Sequence, residues 1–247
     1  MIDTHVHLDL YPNALDIVHE TNIKNIFTLS VTTSPRAWKE TARIFAPYKN
    51  IRVGLGLHPE LVAQRSSELN LFLEWMNDVE YIGEVGLDGS PSCRQGFSQQ
   101  LSVFKSILQQ ADSLGGKTLS VHSRNAAELV LDSLSRYSKK GRIILHWFTG
   151  SYETLHRAIQ LGCLFSLGPA SLSSERGRSI LSHIPLTKIL PESDGPFVQL
   201  KKNTIMPWEA ISISQYLGQI HHISPKEVLD RFRENMHREG LLSLHNQ

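Results

Sequence analysis

Residues 1–9 read Met-Ile-Asp-Thr-His-Val-His-Leu-Asp, a short apolar stretch that ends in two histidines one residue apart, His5 and His7. Side chains at positions i and i+2 of a β-strand point to the same face, so both imidazoles can reach one metal ion. On a buried strand, an imidazole pair without partners costs free energy through its unsatisfied polar atoms. A metal removes this cost, because neutral imidazole is a good ligand. We therefore interpret the pair as metal ligands at the end of a strand.

Four more residues of metal-ligand type follow later apolar runs of the chain. They are Glu84, His122, His146 and Asp194, which follow the runs 81–83, 118–121, 143–145 and 189–190. Glu84 stands between glycines, where a carboxylate can approach two cations and bridge them; a buried salt-bridge acid is the alternative. Asp194 can ligate a metal, accept a proton or do both, and an ordinary loop acid is its alternative. Together with the histidine pair, these positions predict one metal-lined active site.

Short β-rich runs alternate with helical patterns along the whole chain. The predicted strands are 2–7, 25–30, 51–57, 81–87, 118–122, 142–146, 163–167 and 188–194, and the clearest predicted helices are 95–114, 126–137, 153–161 and 225–244. Eight such units in about 250 residues are typical of a single-domain (β/α)8 TIM barrel, whose active site forms at the C-terminal ends of the strands. We assign residues 1–247 to one domain. A doubly wound open sheet is the alternative, because sequence does not show that the eighth strand pairs with the first.

Composition limits the kinds of partner. The formal net charge of +1 is too small for a general basic surface that holds long nucleic acid, so phosphate binding needs metals and a few placed cations. The two cysteines, Cys93 and Cys163, favour a reducing compartment without disulfides. The N-terminus enters the first strand at once, and no apolar run reaches the roughly 20 residues that span a bilayer. We expect a cytoplasmic protein that does not enter membranes.

Two further residues can contact an anionic substrate. His58 follows the third predicted strand, and Arg124 lies two residues beyond His122. A cation and an imidazole at the barrel mouth can hold phosphate oxygens. Neutralisation of nearby carboxylates is an equal alternative for Arg124. Glu192 shares a strand face with Asp194, so it can contact and orient Asp194 without binding the metal itself.

The motifs together resemble the TatD family of metal-dependent deoxyribonucleases, within the amidohydrolase-like barrels. They cover the chain in the family's order and comprise Asp3-Thr4-His5-Val6-His7-Leu8-Asp9, Gly56-Leu57-His58-Pro59, Gly83-Glu84-Val85-Gly86-Leu87-Asp88, His122-Ser123-Arg124, His146-Trp147-Phe148-Thr149-Gly150 and Glu192-Ser193-Asp194-Gly195-Pro196. The resemblance implies two divalent metal ions (zinc, manganese or magnesium) held by His5, His7, Glu84, His122, His146 and Asp194, with Glu84 bridging. It also implies hydrolysis of DNA phosphodiester bonds, typically as an exonuclease.

Within that frame, we predict a role for each side chain in a two-metal hydrolysis. Asp194 and Glu84 are the predicted catalytic residues, with Asp194 taking the proton of the attacking water. His58 and Arg124 hold the non-bridging phosphate oxygens. Trp147 or Trp208 can stack on an unpaired base. The small number of basic residues favours DNA ends or single strands over continuous duplex.

Two departures from the family pattern lie near the expected substrate. Gly89-Ser90-Pro91 follows Asp88, where the family usually has an aromatic residue, and the basic loop after the last strand is shortened to Lys201-Lys202-Asn203. These departures look most like the QatD group, the TatD-like components of the Qat anti-phage defence system, when they are taken together with four further motifs: His146-Trp147-Phe148-Thr149-Gly150, Ser166-Leu167-Gly168-Pro169-Ala170, Asp194-Gly195-Pro196-Phe197 and Met206-Pro207-Trp208. That resemblance implies a bacterial defence role with partner proteins that include an ATPase and a QueC-like protein.

Two other functions stay open at the level of sequence. The first is an amidohydrolase-type hydrolysis of a small amide or lactone; many such enzymes bridge their metals with a modified lysine, whereas Glu84 stands at the end of the fourth strand here. The second is a partner-dependent subunit of a defence complex that binds nucleic acid without turnover. A missing ligand would mark such a subunit, and no ligand is missing.

Overall fold

Eight parallel strands form the centre of the protein. The computed structural model describes residues 1–241. In chain order the strands are β1 Ile2–Val6, β2 Phe27–Val31, β3 Ile51–Gly54, β4 Tyr81–Gly86, β5 Thr118–His122, β6 Arg142–His146, β7 Leu164–Leu167 and β8 Ile189–Pro191, and a short antiparallel hairpin of β9 Gln199–Leu200 and β10 Asn203–Thr204 follows.

The α-helices connect successive strands and follow the last one. They are α1 Ala14–Ile23, α2 Pro35–Phe45, α3 Val62–Arg65, α4 Leu69–Trp75, α5 Phe97–Ser113, α6 Ala127–Tyr137, α7 Tyr152–Gln160, α8 Glu175–Ser182, α9 Ile213–His221 and α10 Pro225–Arg238, with short 3-10 turns between some of them. None of the helices within residues 1–241 has the length and apolar character needed to cross a membrane.

The strands close into a barrel. One parallel ladder runs β1-β2-β3 and a second runs β4-β5-β6-β7-β8. Leu55 joins the two ladders, because its amide donates to the carbonyl of Tyr81 at 3.0 Å and its carbonyl accepts from Gly83 at 2.9 Å. On the other side, the amide of Asp194 donates to the carbonyl of His5 at 2.9 Å, just beyond β8. The predicted (β/α)8 barrel is therefore confirmed, and the open sheet is not the fold.

The outer helices bury one face against the strands. In α5 the buried apolar residues are Val103, Phe104, Ile107, Leu108 and Ala111, which recur at the spacing of one helical face. Gly115 and Gly116 follow this helix with φ of 88° and 98°, a backbone conformation that residues with a Cβ rarely adopt. The Gly115-Gly116 pair, which ended the predicted helix 95–114, therefore lies directly after the end of α5.

Several predicted boundaries differ from the structure. The predicted strand 188–194 pairs only over Ile189–Pro191, because Asp194 takes a left-handed backbone conformation with φ of 51°. The predicted loop 199–207 contains the β9–β10 hairpin. The predicted helix 225–244 ends at Arg238 and is followed by a turn at Gly240, whose φ is 65°, while positions 242–244 lie outside the described residues. The two cysteines are free thiols.

Candidate metal centre

Six side chains converge at the C-terminal ends of the barrel strands. The six are His5, His7, Glu84, His122, His146 and Asp194, and they come from β1, β4, β5, β6 and the segments directly after β1 and β8. Parallel strands in a barrel end at the same face, which is why ligands far apart in sequence meet there. All six predicted metal ligands therefore lie in one cluster.

Glu84 lies at the centre of this cluster, with its two oxygens facing different imidazoles. Oε2 lies 3.6 Å from Nε2 of His5 and 3.3 Å from Nε2 of His7. Oε1 lies 2.7 Å from Nδ1 of His122 and 3.9 Å from Nε2 of His146. A carboxylate with ligand atoms on both sides has the arrangement required to bridge two cations.

Asp194 faces the same space from the opposite edge of the barrel. Its Oδ1 lies 3.8 Å from Nε2 of His5 and 3.9 Å from Nε2 of His7, and its Oδ2 lies 3.9 Å from Nε2 of His146. The left-handed backbone at Asp194 turns the chain away from β8, and its carbonyl accepts from the amide of Val198 at 3.1 Å. The turn holds the carboxylate at the mouth of the barrel.

The separations of His5 and His7 from Glu84 fit metal ligation better than direct hydrogen bonding. Two nitrogen or oxygen ligands at 2.0–2.1 Å from a tetrahedral zinc ion are about 3.4 Å apart. The contacts of His5 and His7 with Glu84, at 3.6 and 3.3 Å, match that spacing. Within residues 1–241, Nε2 of His5 is buried without a hydrogen-bond partner, while its Nδ1 hydrogen-bonds Oγ of Ser120 at 2.7 Å. A cation in this space would satisfy the orphaned nitrogen.

Two of the histidines are held in the neutral form that ligates metals. The rings of His5 and His146 stack with centroids 3.6 Å apart and planes 7° from parallel. Burial, with the neighbouring His146, puts the pKa of His5 well below its usual value. Burial also lowers the pKa of His146. Neutral imidazoles offer a free lone pair, so both rings are ready to bind a cation.

His122 differs from these two histidines, because its pKa is raised and not lowered. Nδ1 donates to Oε1 of Glu84 at 2.7 Å and Nε2 donates to Oδ2 of Asp88 at 2.8 Å. Burial alone would lower its pKa, but these two carboxylates raise the pKa of His122 to about 9. Burial would raise the pKa of Glu84, yet His58 and the imidazoles that contact it keep that pKa well below the usual range. The centre thus holds an ionised carboxylate and one imidazolium.

The remaining carboxyls respond mainly to burial. Burial raises the pKa of Asp194 to about 7, with repulsion from Glu192 and Glu84 adding to the effect. Burial also raises the pKa of Glu192 well above its ordinary value. Both carboxyls therefore favour the protonated form more than an exposed acid does.

Three supporting residues orient the ligand imidazoles. Ser120 contacts His5, Asp88 contacts His122, and Oε2 of Glu192 accepts from Nδ1 of His146 at 2.9 Å. Sequence reasoning missed Ser120 and Asp88, although each had a signal. Ser120 lies two residues before His122 on β5 and so shares its face, and Asp88 lies in the same glycine-rich motif as Glu84. Glu192 was expected to support Asp194, whereas its hydrogen bond goes to His146.

The two predicted phosphate contacts lie at the rim of the same cavity. Nδ1 of His58 accepts from the amide of Glu60 at 3.2 Å, which leaves the proton on Nε2, 3.4 Å from Oε1 of Glu84. Arg124 is exposed, and no acidic side chain within residues 1–241 forms an ion pair with it. Of the two, the guanidinium of Arg124 is therefore the freer donor for an incoming anion.

The two tryptophans proposed for base stacking have different surroundings. Trp147 is 37% exposed and lines the cavity beside the ligands. Trp208 packs against a separate apolar cluster that includes Tyr11 and Ile17, and Nζ of Lys24 lies 5.2 Å from its ring centroid. Only Trp147 of this pair lines the cavity.

Comparisons of sequence and of structure both find TatD-related proteins. A sequence model of the family described as "TatD related DNase" matches residues 2–239. The chain is 25% identical to the human protein named deoxyribonuclease TATDN3, covering 95% of this chain and 92% of that protein. It is 30% identical to the human 3'-5' RNA nuclease TATDN2, over 79% of this chain and 28% of that protein. A crystal structure of YJJV, a TatD homologue from Escherichia coli, superposes with a TM-score of 0.82 at 21% identity, covering 96% of both chains.

Proposed function

We propose, from the premise that the chain belongs to the family of TatD-related DNases, that it hydrolyses phosphodiester bonds at the ends or in single-stranded parts of DNA. Membership makes the chain a metal-dependent hydrolase of the nuclease type. The observation that supports the proposal most directly is the position of Glu84. Its two oxygens face different imidazoles across one buried cluster.

We assign two divalent cations to this cluster. One set of ligands is His5, His7, Glu84 and Asp194, and the other is Glu84, His122 and His146. The imidazole-rich donor set suits zinc or manganese, and the carboxylates with a substrate phosphate also admit magnesium. When bound, such ions polarise a phosphate oxygen and lower the pKa of water.

The side chains of the chain supply the remaining steps. Asp194 takes the proton of the attacking water, because its carboxylate lines the cavity and faces the cluster of imidazoles. Glu84 keeps its negative charge at the centre of the site. Arg124 holds non-bridging phosphate oxygens, with His58 beside it, and stabilises the charge that grows on them in the transition state.

The charge distribution favours a short stretch of substrate. With a formal net charge of +1, the chain lacks the general basic surface that holds long duplex DNA. The cations that can meet phosphate are concentrated at the cavity, where Arg124 and Arg176 both line the wall. A strand end or a single-stranded segment can enter such a cavity, whereas a continuous duplex cannot.

The alternatives receive less support from the site. An amidohydrolase that bridges its metals through a modified lysine would need that lysine near Glu84, and no lysine lines the cavity formed by residues 1–241. A binding subunit without turnover would be expected to lack part of the ligand set. RNA is the alternative substrate to DNA, because one relative is named an RNA nuclease.

We further propose that the chain works in the bacterial cytoplasm as the nuclease of an anti-phage system, together with an ATPase and a QueC-like protein. The segment Gly89-Ser90-Pro91 and the short turn Lys201-Lys202, which resemble QatD, support this role. Co-expression with the products of neighbouring genes should protect cells from phage, and Glu84→Ala should remove the protection. Equal protection by that variant would contradict a catalytic role in defence.

The direct test is a nuclease assay with added metal on end-labelled oligonucleotides. Single-stranded DNA, duplex DNA and single-stranded RNA of the same sequence are compared with zinc, manganese or magnesium, with Glu84→Ala as control. We expect stepwise shortening of single-stranded DNA, its loss on chelation, and no cleavage by the variant. Faster cleavage of the RNA would change the substrate, and no cleavage of any nucleic acid under any metal would reject the proposal.

A further inference from the structure

The cavity at the barrel mouth extends well beyond the metal-ligand cluster. Its volume is about 560 Å³, within the range of small-molecule sites. One end contains Glu84, Asp194 and the ligand imidazoles. The other end is built from the connections after β6 and β7 and from α8, and contributes no metal ligand to the cluster. We call this second end the side arm; the residues of its lining that matter here are Trp147, Phe148, Leu167, Arg176 and Ile180.

Part of the side-arm wall is apolar. Phe148, Leu167 and Ile180 line it, and each is otherwise buried in the protein. The cluster end supplies the metal ligands that a scissile phosphate needs, whereas hydrocarbon surface offers a phosphate nothing. Apolar walls next to a phosphate site suit the part of a nucleotide that has a large π-face, which is the base.

Trp147 stands where the side arm meets the ligand cluster. It follows the ligand His146 directly, and the two rings meet edge to face with centroids 6.3 Å apart. Its φ is 38°, an unfavourable conformation for a bulky residue, and its amide donates to the carbonyl of Ser166 at 3.1 Å. The backbone thus holds a partly exposed indole at the cavity wall against local preference, and such strain is concentrated at functional sites.

Arg176 fixes the loop that follows Trp147. Its Nη2 donates to the carbonyls of Thr149 and Gly150, both at 3.2 Å. Arg176 is exposed and lines the cavity, and no acidic side chain within the described part of the chain pairs with it. A guanidinium in this place can both hold the loop and donate to a base edge or to a neighbouring phosphate.

We propose that the side arm is a nucleobase subsite, in which Trp147 stacks on the base of a nucleotide beside the scissile phosphate and Arg176 lies at the edge of that base. The inference rests on the proposed function and names its substrate more closely. The site requires an unpaired base that can leave its stack, so a single-stranded end is the preferred substrate. Stacking on one aromatic side chain corresponds to roughly 5- to 150-fold in affinity.

The experiment compares two fluorescent single-stranded DNA probes that differ only at the terminal residue. One carries a normal nucleotide there and the other a tetrahydrofuran residue without a base, at the 3′ end or at the 5′ end. Binding is measured by anisotropy with manganese and the full chain carrying Asp194→Asn, which slows cleavage enough for the probe to stay intact during the measurement. We expect the probe with the base to bind at least fivefold more tightly at one of the two ends. Trp147→Ala in the same background should bring the two affinities to within about twofold.

Tyr152→Ala is the matched control, because Tyr152 is an exposed aromatic residue of α7 that does not line the cavity. It should keep the difference between the two probes. Equal affinity of both probes for the protein with Trp147 intact overturns the subsite, and this comparison needs no variant of Trp147 to fold. An unchanged difference in Trp147→Ala also overturns it.

Cleavage by the wild-type chain, measured in parallel, separates the two proposals. Cleavage together with equal probe affinities rejects the nucleobase subsite and leaves the nuclease function intact. A preference for the base without cleavage under any metal rejects the nuclease function and leaves a nucleotide-binding side arm.

Discussion

Nδ1 of His146 lies 2.9 Å from Oε2 of Glu192, and both side chains are buried beneath the candidate metal centre. This hydrogen bond turns the imidazole so that Nε2 faces Glu84 and Asp194, each at 3.9 Å. The hydrogen-bond partner of a ligating histidine fixes its orientation, and loss of such a partner typically lowers metal affinity 10- to 100-fold. We therefore expect Glu192→Leu to weaken metal binding by about that factor.

Glu192→Gln separates hydrogen bonding from charge at the same position. The amide keeps an oxygen that can accept from His146, so we expect this variant to retain metal affinity within a few-fold of wild type. The metal affinities of the wild-type protein, Glu192→Leu and Glu192→Gln are measured by competition with a metal chelator, followed by calorimetry. Glu74→Gln, an exposed acid on α4, serves as the control. Equal losses in the Leu and Gln variants would show that the charge of Glu192 matters and not its acceptor oxygen.

Two of the proposed ligands, Asp194 and His122, carry protons that a metal must displace. Burial raises the pKa of Asp194 to about 7. His122 would have its pKa lowered by burial, but Asp88 and Glu84 raise it to about 9. Ligation needs the carboxylate and the neutral imidazole, so metal affinity rises with pH until both groups have lost their protons. We expect about two protons to be released at pH 6, about one at pH 8, and none well above pH 9.

Calorimetric titration in buffers with different ionisation enthalpies measures this proton release. The step between pH 6 and pH 8 belongs to Asp194, so Asp194→Asn should remove that step and leave the release from His122. An equal number of protons at pH 6 and pH 8 in the wild-type chain would contradict the raised pKa of Asp194.

The barrel was predictable from sequence, and the reason is physical. Eight apolar runs alternate with helical segments, and parallel strands end at one face, so residues such as His146 and Asp194 had to lie near each other once the barrel closed. The closure itself was not predictable, because it depends on backbone hydrogen bonds such as that from Asp194 to His5. Strand ends were also less certain, since the left-handed turn at Asp194 has no glycine to mark it.

The supporting contacts of the site were the hardest to predict. Sequence spacing tells which side chains share a strand face, but not which acid on one strand meets which imidazole on another. We expected Glu192 to contact and orient Asp194, but its hydrogen bond is with His146. Asp88 had no assigned role, although it contacts His122. Such partners depend on the relative twist and register of neighbouring strands, which a single sequence does not encode locally.

Asp194→Asn tests the proton-transfer step by itself. The amide preserves the shape of the side chain and one ligand oxygen but cannot accept the proton of water. Because a positioned general base contributes about 10²- to 10⁴-fold, we expect turnover to fall by that range. Metal content at saturating metal, measured by mass spectrometry, should stay close to wild type, and the circular dichroism spectrum should be unchanged. Turnover within threefold of wild type would remove Asp194 from this role.

The hairpin turn Lys201-Lys202 places two lysines in a strained backbone conformation. Their φ angles are 51° and 70°, in the left-handed region that residues other than glycine adopt at a cost of about 1 kcal/mol or more each. Lys202→Gly should therefore raise the free energy of unfolding by about 1 kcal/mol. It should also weaken binding of single-stranded DNA and reduce the slope of log affinity against log salt by about 0.7, if this lysine contacts a phosphate.

Lys202→Ala separates the two effects, because alanine loses the charge and keeps the unfavourable conformation. We expect it to lose affinity and salt dependence to the same extent as Lys202→Gly, without the gain in stability. Denaturant unfolding measures the stability of each variant. Anisotropy with a fluorescent oligonucleotide over a salt series measures its DNA affinity and the salt dependence of that affinity. A stability gain with unchanged DNA binding in Lys202→Gly would show that the strained turn, which begins four residues after Phe197 at the cavity, is maintained for something other than contact with phosphate.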